Sequence, residues 1–315
     1  MSQTTSPDRP GAINARPVRH PWRWVTVAVI AVLVAMLIHS FVTNPRWDWG
    51  YVLKVMNYKP ILQGLLYGTL LGTVIAMIIG ASLGVLMAIM RLSGNPVLRI
   101  VSAVYTWFFR SVPRYVLLTI LGVGLIYLYP TVEIGVPFGQ TFANWFGWSN
   151  DLTFMTLDVR SISGGIFIGA LGLGLSEAAY MAEIARAGIL SVDTGQREAA
   201  QALGMSSGQT MRRIVLPQAM RVIVPPTGNE TIAMVKDTSL LAAVPVGMEL
   251  FNQATIVANR TYRIMPAYVA ATLWYIIVCS VLMVGQYYLE KKFGRGFGTE
   301  VNPQTRRLLA KVGEH

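Results

Sequence analysis

Long apolar blocks separated by polar and basic segments organise this chain of 315 residues. The first runs from Trp24 to Phe41 and is interrupted only by Thr26, His39 and Ser40. Crossing the hydrocarbon of a bilayer takes about 20 such residues. The block is longer than the core of a signal peptide. No small-x-small cleavage site follows in Val42-Thr43-Asn44-Pro45, so a retained helix is predicted. Five further spans are predicted: Ile61 to Met90, Ile100 to Tyr129 with its apolar run starting at Tyr115, Gly164 to Ile189, Met220 to about Leu250, and Met265 to Tyr288. The fifth is broken by Pro225-Pro226 and carries Asn229, Glu230, Lys236 and Asp237. Thr131 to Arg160 reads as a polar and aromatic loop. Residues 1–23, punctuated by Pro7, Pro10, Pro17 and Pro21, read as a disordered tail, and residues 290–315 as a basic one.

Composition turns these blocks from core into membrane. Hydrophobic residues make up 53% and charged residues 13% of the chain, against about 25% charged in a soluble domain. A net charge of +11 would raise nucleic-acid binding in a soluble protein. Here the cations flank apolar blocks and are not interleaved with exposed aromatics as in single-strand binders. They set orientation instead. With the N-terminus inside, the outer segments keep only Arg46, Lys54, Lys59, Arg160, Arg260 and Arg263 of the 26 Lys and Arg residues, and Lys236 lies within a span. Both ends are therefore expected in the cytoplasm, with an even number of spans. The one cysteine, Cys279, excludes an internal disulfide and a cysteine-built metal site. His20, His39 and His315 are scattered, and no nucleophile-base-acid arrangement is visible. Trp47, Trp49, Tyr51, Trp145 and Trp148 read as interfacial anchors.

Glycines recur every four residues at Gly64, Gly68 and Gly72 and at Gly80 and Gly84. They crowd the fourth span at Gly165, Gly169, Gly172 and Gly174. This spacing lets helix backbones approach closely in lipid. Between the fourth and fifth spans about thirty residues are too polar for lipid. Asp193 with Gln196 can cap a helix start, Gln196 to Leu203 favours helix, and Gly204 sits where a left-handed cap would end it. Ser206-Ser207-Gly208-Gln209 reads as a capping box. It opens a second short helix to about Val215, which Leu216-Pro217 stops. The loop is thus predicted as two short helices about a glycine hinge. Near it, Glu183 and Arg186 are three apart and are expected to pair along the helix.

The spacing Glu198-Ala199-Ala200, Gly204, Ile214 and Leu216-Pro217 resembles the "EAA" signature of ABC-importer permeases. Glu177-Ala178-Ala179 is a false match, because Glu183 stands where the glycine belongs. Ala179-Tyr180-Met181-Ala182-Glu183-Ile184, Gly195-Gln196, Leu216-Pro217-Gln218-Ala219, Pro225-Pro226, Asn229 and Lys236-Asp237-Thr238-Ser239-Leu240 are similar to the polar amino acid branch, the permeases for His, Glu, Gln, Arg and opines. So are Gly68-Thr69-Leu70 and Phe109-Arg110 with Pro113. The resemblance covers residues 60–289. It departs at Arg110-Ser111-Val112-Pro113-Arg114-Tyr115, where the branch usually reads Arg-Gly-Thr-Pro-Leu-Leu, and at Leu117, where a Gln is common.

The resemblance implies an all-α integral membrane protein with six transmembrane helices: a type I ABC-importer (MetI-like) permease core of five helices in residues 60–289, plus one extra N-terminal helix in residues 24–42. It implies a subunit without an ATP-hydrolysing site of its own, and no Gly-x-x-x-x-Gly-Lys-Ser/Thr loop occurs. No cofactor is expected in this chain; ATP and magnesium would be bound by a cytoplasmic ABC ATPase dimer. The other expected partners are a second permease subunit, copy or paralogue, and an extracytoplasmic solute-binding protein. The expected place is the bacterial cytoplasmic membrane. Glu198, Ala199, Ala200, Gly204, Ile214, Leu216 and Pro217 are expected to couple to the ATPase. Broken helices at the bilayer midplane often hold substrate, so Asn229, Lys236, Asp237 and Thr238 are candidates for the substrate pathway; the alternative has Lys236 and Asp237 neutralising each other. The cargo expected is a polar amino acid, with cystine, an opine or another small polar solute as alternatives. A channel or scaffold without an ATPase is the alternative class.

Overall fold

Two units make up the chain, Met1–Asp48 and Trp49–His315, and a computed structural model describes residues 21–148, 152–159, 165–244 and 247–294. In the first unit, helix α1 (Pro21–Thr43) opens on Pro21, three residues before the predicted span. A proline suits the first helical position because its missing N–H is unneeded there. The Asn44 side chain accepts the Arg46 N–H at 3.0 Å and starts a short turn, Pro45–Trp47. The predicted tails fall largely outside the described residues, except that 21–23 open α1 and 290–293 continue the last helix.

The second unit begins with α2 (Trp49–Met56) and α3 (Lys59–Leu92), the latter containing a widened π stretch at Gly64–Leu70. Then come α4 (Pro96–Ser111) and α5 (Arg114–Gly124), which runs on through Leu125–Leu128. Strand β1 (Thr131–Gly135), α6 (Gly139–Phe146) and β2 (Thr153–Asp158) follow. The chain continues through α7 (Ile166–Leu190), α8 (Thr194–Ala202), α9 (Ser207–Thr210) and α10 (Leu216–Asp237). It finishes with α11 (Leu250–Thr261) and α12 (Ile264–Phe293).

The small-residue rows do what their spacing predicts. At the α3–α7 crossing a Cβ on Gly174 would come within 3.0 Å of the Ala76 carbonyl oxygen. One on Gly84 would overlap Met181, and one on Gly80 would lie 2.7 Å from Glu177 Cγ. Gly68 faces the Met248 and Glu249 backbone so closely that no side chain fits. Among the buried apolar clusters, two join the most helices. Leu118, Leu173, Met234 and Leu241 join α5, α7 and α10. Val52, Ile61, Leu250 and Ala267 join α2, α3, α11 and α12.

Among the described residues, four helices are long and apolar enough to cross a membrane: α1, α3, α7 and α12. The third predicted span is instead two helices. Pro113 disfavours helical backbone at the residue before it, and Val112 is extended at φ −84° and ψ 127°. The fifth is long but carries charge, and Pro225-Pro226 does not break it. The proline φ is compatible with a helix, and α10 runs unbroken past both prolines. Gln286 of α12 donates to the Pro225 carbonyl at 2.8 Å, tying α10 to α12 beside the prolines. The helix ends at Asp237, where a tighter turn, Thr238–Ala243, takes over.

The segment predicted as an irregular loop holds an antiparallel hairpin. Thr131 pairs with Asp158, Val132 with Leu157, Glu133 with Thr156 and Ile134 with Met155, with an irregularity before Gly135 and Thr153. Its polar-apolar alternation is short, and α6 separates the two strands, which hides the hairpin from a hydropathy reading. Arg160 lies outside the described residues.

Candidate functional site

The polar loop is built as its capping residues dictate. The Asp193 carboxylate accepts the Gly195 N–H at 2.7 Å and starts α8. At the other end the Gly204 N–H donates to the Gln201 carbonyl at 2.9 Å and the Met205 N–H to the Ala200 carbonyl at 3.1 Å. This is the paired closure of a left-handed helix cap, and Gly204 has the φ of +76° it requires. Ser206 accepts the Gln209 N–H at 3.3 Å while the Gln209 side chain accepts the Ser206 N–H at 2.9 Å, so the capping box is present.

Leu216-Pro217 does not stop the second loop helix. α9 passes through a π turn, Met211–Val215, straight into α10. Pro217 cannot donate to a carbonyl one turn back; the wider turn absorbs this, with the Leu216 N–H reaching the Met211 carbonyl and the Gln218 amide donating to Ile214 O at 3.1 Å. The loop is therefore one separate helix, α8, joined through Gly204 to an element continuous with the fifth predicted span.

α8 is tied to both neighbours. The Arg197 guanidinium donates to the Ile189 carbonyl in the last turn of α7. The Gln218 amide of α10 donates to the Gln196 side chain at 2.5 Å. Beneath them Val192, Val215 and Ala219 form a buried cluster. Of the predicted coupling residues, Ala200 is buried, Ile214 is half-buried, and Glu198, Ala199, Gly204, Leu216 and Pro217 are exposed. Leu216 also lines an apolar cavity of about 460 Å³ with Met220 and Ile223. Leu203 is 83% exposed at the loop tip, a large apolar side chain that the sequence reading passed over.

A second constellation lies among α5, α7 and α10. Arg114, the first residue of α5, donates to Glu177 Oε2 at 2.9 Å and to Asp237 Oδ2. Its guanidinium carbon sits 4.9 Å from the centre of the Tyr180 ring, and that of Arg110 at 5.6 Å. The Glu177 side chain is fully buried, and its Oε1 has no hydrogen-bond partner among the described residues. Arg114 and Glu177 escaped the sequence reading. The signals were an arginine where the family usually has leucine, and a carboxylate within an apolar span.

The predicted pathway residues are not all brought together. Asp237 joins this cluster, pairing with Arg114 and not with its neighbour Lys236. Lys236 and Asn229 are exposed on α10. Thr238 is buried and donates to the Val235 carbonyl at 2.7 Å, closing the helix end. Glu183 and Arg186 pair as expected, at 2.7 Å.

A third group was missed entirely. Glu249 is fully buried. Its Oε2 accepts the Phe251 and Asn252 N–H groups at 2.7 and 3.1 Å, capping α11. Its Oε1 accepts the Thr69 hydroxyl at 3.0 Å and the Tyr275 hydroxyl.

Several long apolar helices, close-packed through glycine, define a multi-pass membrane protein with a capped, exposed helix in its polar loop. The chain belongs to the family of binding-protein-dependent transport system inner membrane components, whose sequence profile matches residues 80–295. The arginine transport system permease protein ArgU of Corynebacterium glutamicum is 42% identical over 307 residues, covering 97% of this chain and 90% of that protein. The probable glutamine ABC transporter permease protein GlnM of Bacillus subtilis is 33% identical, covering 68% of this chain and 84% of its own length. The fold is similar to the crystal structure of an amino acid ABC transporter with histidines: TM-score 0.59, 28% identity, 74% of this chain and 94% of that one. These relatives include amino-acid permeases of the branch that the stretches flanking the loop signature resemble.

Proposed function

We propose that this chain is the transmembrane permease subunit of an ATP-binding-cassette importer that moves polar amino acids into the cytoplasm. A separate ATPase dimer, which binds ATP and magnesium, drives it; a second permease subunit completes the pathway, and an extracytoplasmic binding protein delivers cargo. Both termini face the cytoplasm in this reading, which the distribution of basic residues supports. Arginine is the cargo to test first, because the 42% identical relative is named for it.

The observation that carries this reading is the exposed helix α8, fastened near its start to both α7 and α10 through the adjacent residues Arg197 and Gln196. A push on α8 is delivered to two bundle helices at once. Ala199 and Gly204 present little bulk to a docking groove, and Glu198 and Leu203 supply a polar and an apolar contact on the exposed surface.

Glu198→Lys is expected to leave membrane insertion and stability unchanged, because Glu198 is exposed, while ATP-driven uptake of labelled amino acids is lost. Gly204→Asp adds backbone strain at φ +76°, about 1 kcal/mol, and is expected to uncouple in the same way. Normal uptake in both variants, in vesicles holding the assembled complex, overturns the reading.

A further inference from the structure

The Arg114 cluster has the composition of a recognition site for a guanidinium: two carboxylates to accept its forked N–H groups and an aromatic ring beneath its face. Glu177 and Asp237 are the carboxylates and Tyr180 is the ring. The group that fills the site belongs to the chain itself. We propose that Glu177, Asp237 and Tyr180 form a cation-accepting station on the transport pathway, and that Arg114 occupies it as a resident stand-in which a cationic amino acid displaces. This rests on the transport reading above and names a cargo class for it.

The site is poised against its occupant. Arg114 stands in the first turn of α5, where the positive end of the helix dipole disfavours a cation. Asp237 is the last residue of α10, where the negative end adds to its own charge and favours one. The two carboxylates therefore attract a cation, and the backbone carrying Arg114 works against Arg114 being that cation. Glu230 lies two turns before Asp237 on the same face of α10, which adds to the acidic excess.

Hydrogen-bond bookkeeping points the same way. Glu177 gives only Oε2 to Arg114, and Oε1 is buried without a partner among the described residues. A buried acceptor left unpaired is costly, so Arg114 satisfies the site incompletely. A ligand carrying its own guanidinium or ammonium is free of the α5 backbone and can turn its donors to both oxygens. The approach is open on the Asp237 side, where that side chain is 30% exposed, and closed behind Glu177 by Gly80.

Arg114 also follows directly on the extended residue Val112 and Pro113. Its release needs rotation of one long side chain and no break in a helix.

The test measures equilibrium binding of L-arginine, with L-glutamine as the neutral control, to the purified full permease–ATPase complex without binding protein. A competitor that holds the station nine-tenths of the time lowers the apparent affinity about tenfold. Arg114→Gln is therefore expected to tighten L-arginine binding by about tenfold or more while L-glutamine binding stays as it was. Arg114→Gln combined with Asp237→Asn is expected to abolish the gain. Arg114→Lys keeps the charge and loses the fork, and should fall between wild type and Arg114→Gln; it serves as the reporter if the glutamine variant melts early. Unchanged or weaker L-arginine binding in both single variants overturns the station and leaves Arg114 as an interhelical tie. ATP-driven uptake in the same preparations separates the two readings. Uptake without the affinity change defeats the station alone; the affinity change without any amino-acid uptake upholds the station and defeats the transport reading.

Discussion

Glu177 and Glu249 are both fully buried carboxylates in a membrane protein, and they are held in opposite ways. Glu249 is surrounded by local donors: two backbone N–H groups of the helix it caps and two hydroxyls, from Thr69 and Tyr275. Both of its oxygens are used, none of its partners is charged, and it binds α3, α11 and α12 into one layer. Glu177 has one oxygen used and one unpartnered, and its partner is a long cation from another helix. A carboxylate whose acceptors are filled by fixed neutral groups has nothing to exchange. A carboxylate paired with one movable cation can trade it. The first arrangement pins a fold, and the second suits a pathway.

The sharpest way to break this contrast is Glu249→Ala. It strands two amides and two hydroxyls around a fully buried position. Each stranded group costs about 1–3 kcal/mol, so the loss is expected to reach about 4 kcal/mol or more. The thermal unfolding midpoint in detergent should fall steeply, and insertion should suffer. Glu249→Gln keeps one carbonyl oxygen as acceptor and should recover part of that loss. If Glu249→Ala melts with the wild type, Glu249 is no pin and the comparison fails on that side.

Glu177→Gln probes the other side at a smaller cost. One of its oxygens already lacks a partner, and Asp237 remains to hold Arg114, so the stability change is expected to stay within about 1 kcal/mol. Binding of L-arginine should nevertheless weaken by about tenfold, equivalent to about 1.4 kcal/mol, while L-glutamine is unaffected. A melting temperature lowered as far as in Glu249→Ala would show that the two carboxylates do the same job.

What could be read from the residues was what depends on neighbours in sequence. The capping of α8, the left-handed Gly204 and the Ser206–Gln209 box are local rules, and each is met in the structure. The glycine rows are periodic and pack where their period puts them. The charged cluster is not local: Arg114 meets Glu177 and Asp237 across 63 and 123 residues. Glu177 was set aside because its Glu-Ala-Ala run fails the loop signature, a test that says nothing about an intramembrane acid. The notion that Lys236 could neutralise Asp237 fails on helix geometry, since adjacent residues do not face each other. The prolines misled for a related reason. Pro225-Pro226 removes two donors, but a proline φ suits a helix, and α10 runs on past both residues with Gln286 of α12 tied to the Pro225 carbonyl.

The smallest expected effect lies one residue beyond the cluster, at Thr238. The pathway candidates group Thr238 with Asp237, yet their side chains have different employment. The Thr238 hydroxyl is buried and donates to the Val235 carbonyl of its own helix, while the Asp237 carboxylate leaves the helix to meet Arg114. Thr238→Val keeps the shape and removes one neutral hydrogen bond. The expected cost is about 0.5–1.5 kcal/mol, a shift of a few degrees in melting, with cargo affinity and uptake as in the wild type. Asp237→Asn, nearly the same size as aspartate, is expected to do the reverse and weaken cation binding while sparing the melting midpoint. If Thr238→Val instead lowers L-arginine affinity at wild-type stability, the hydroxyl reaches cargo, and the station extends one residue further along the chain than the ion pairs mark it.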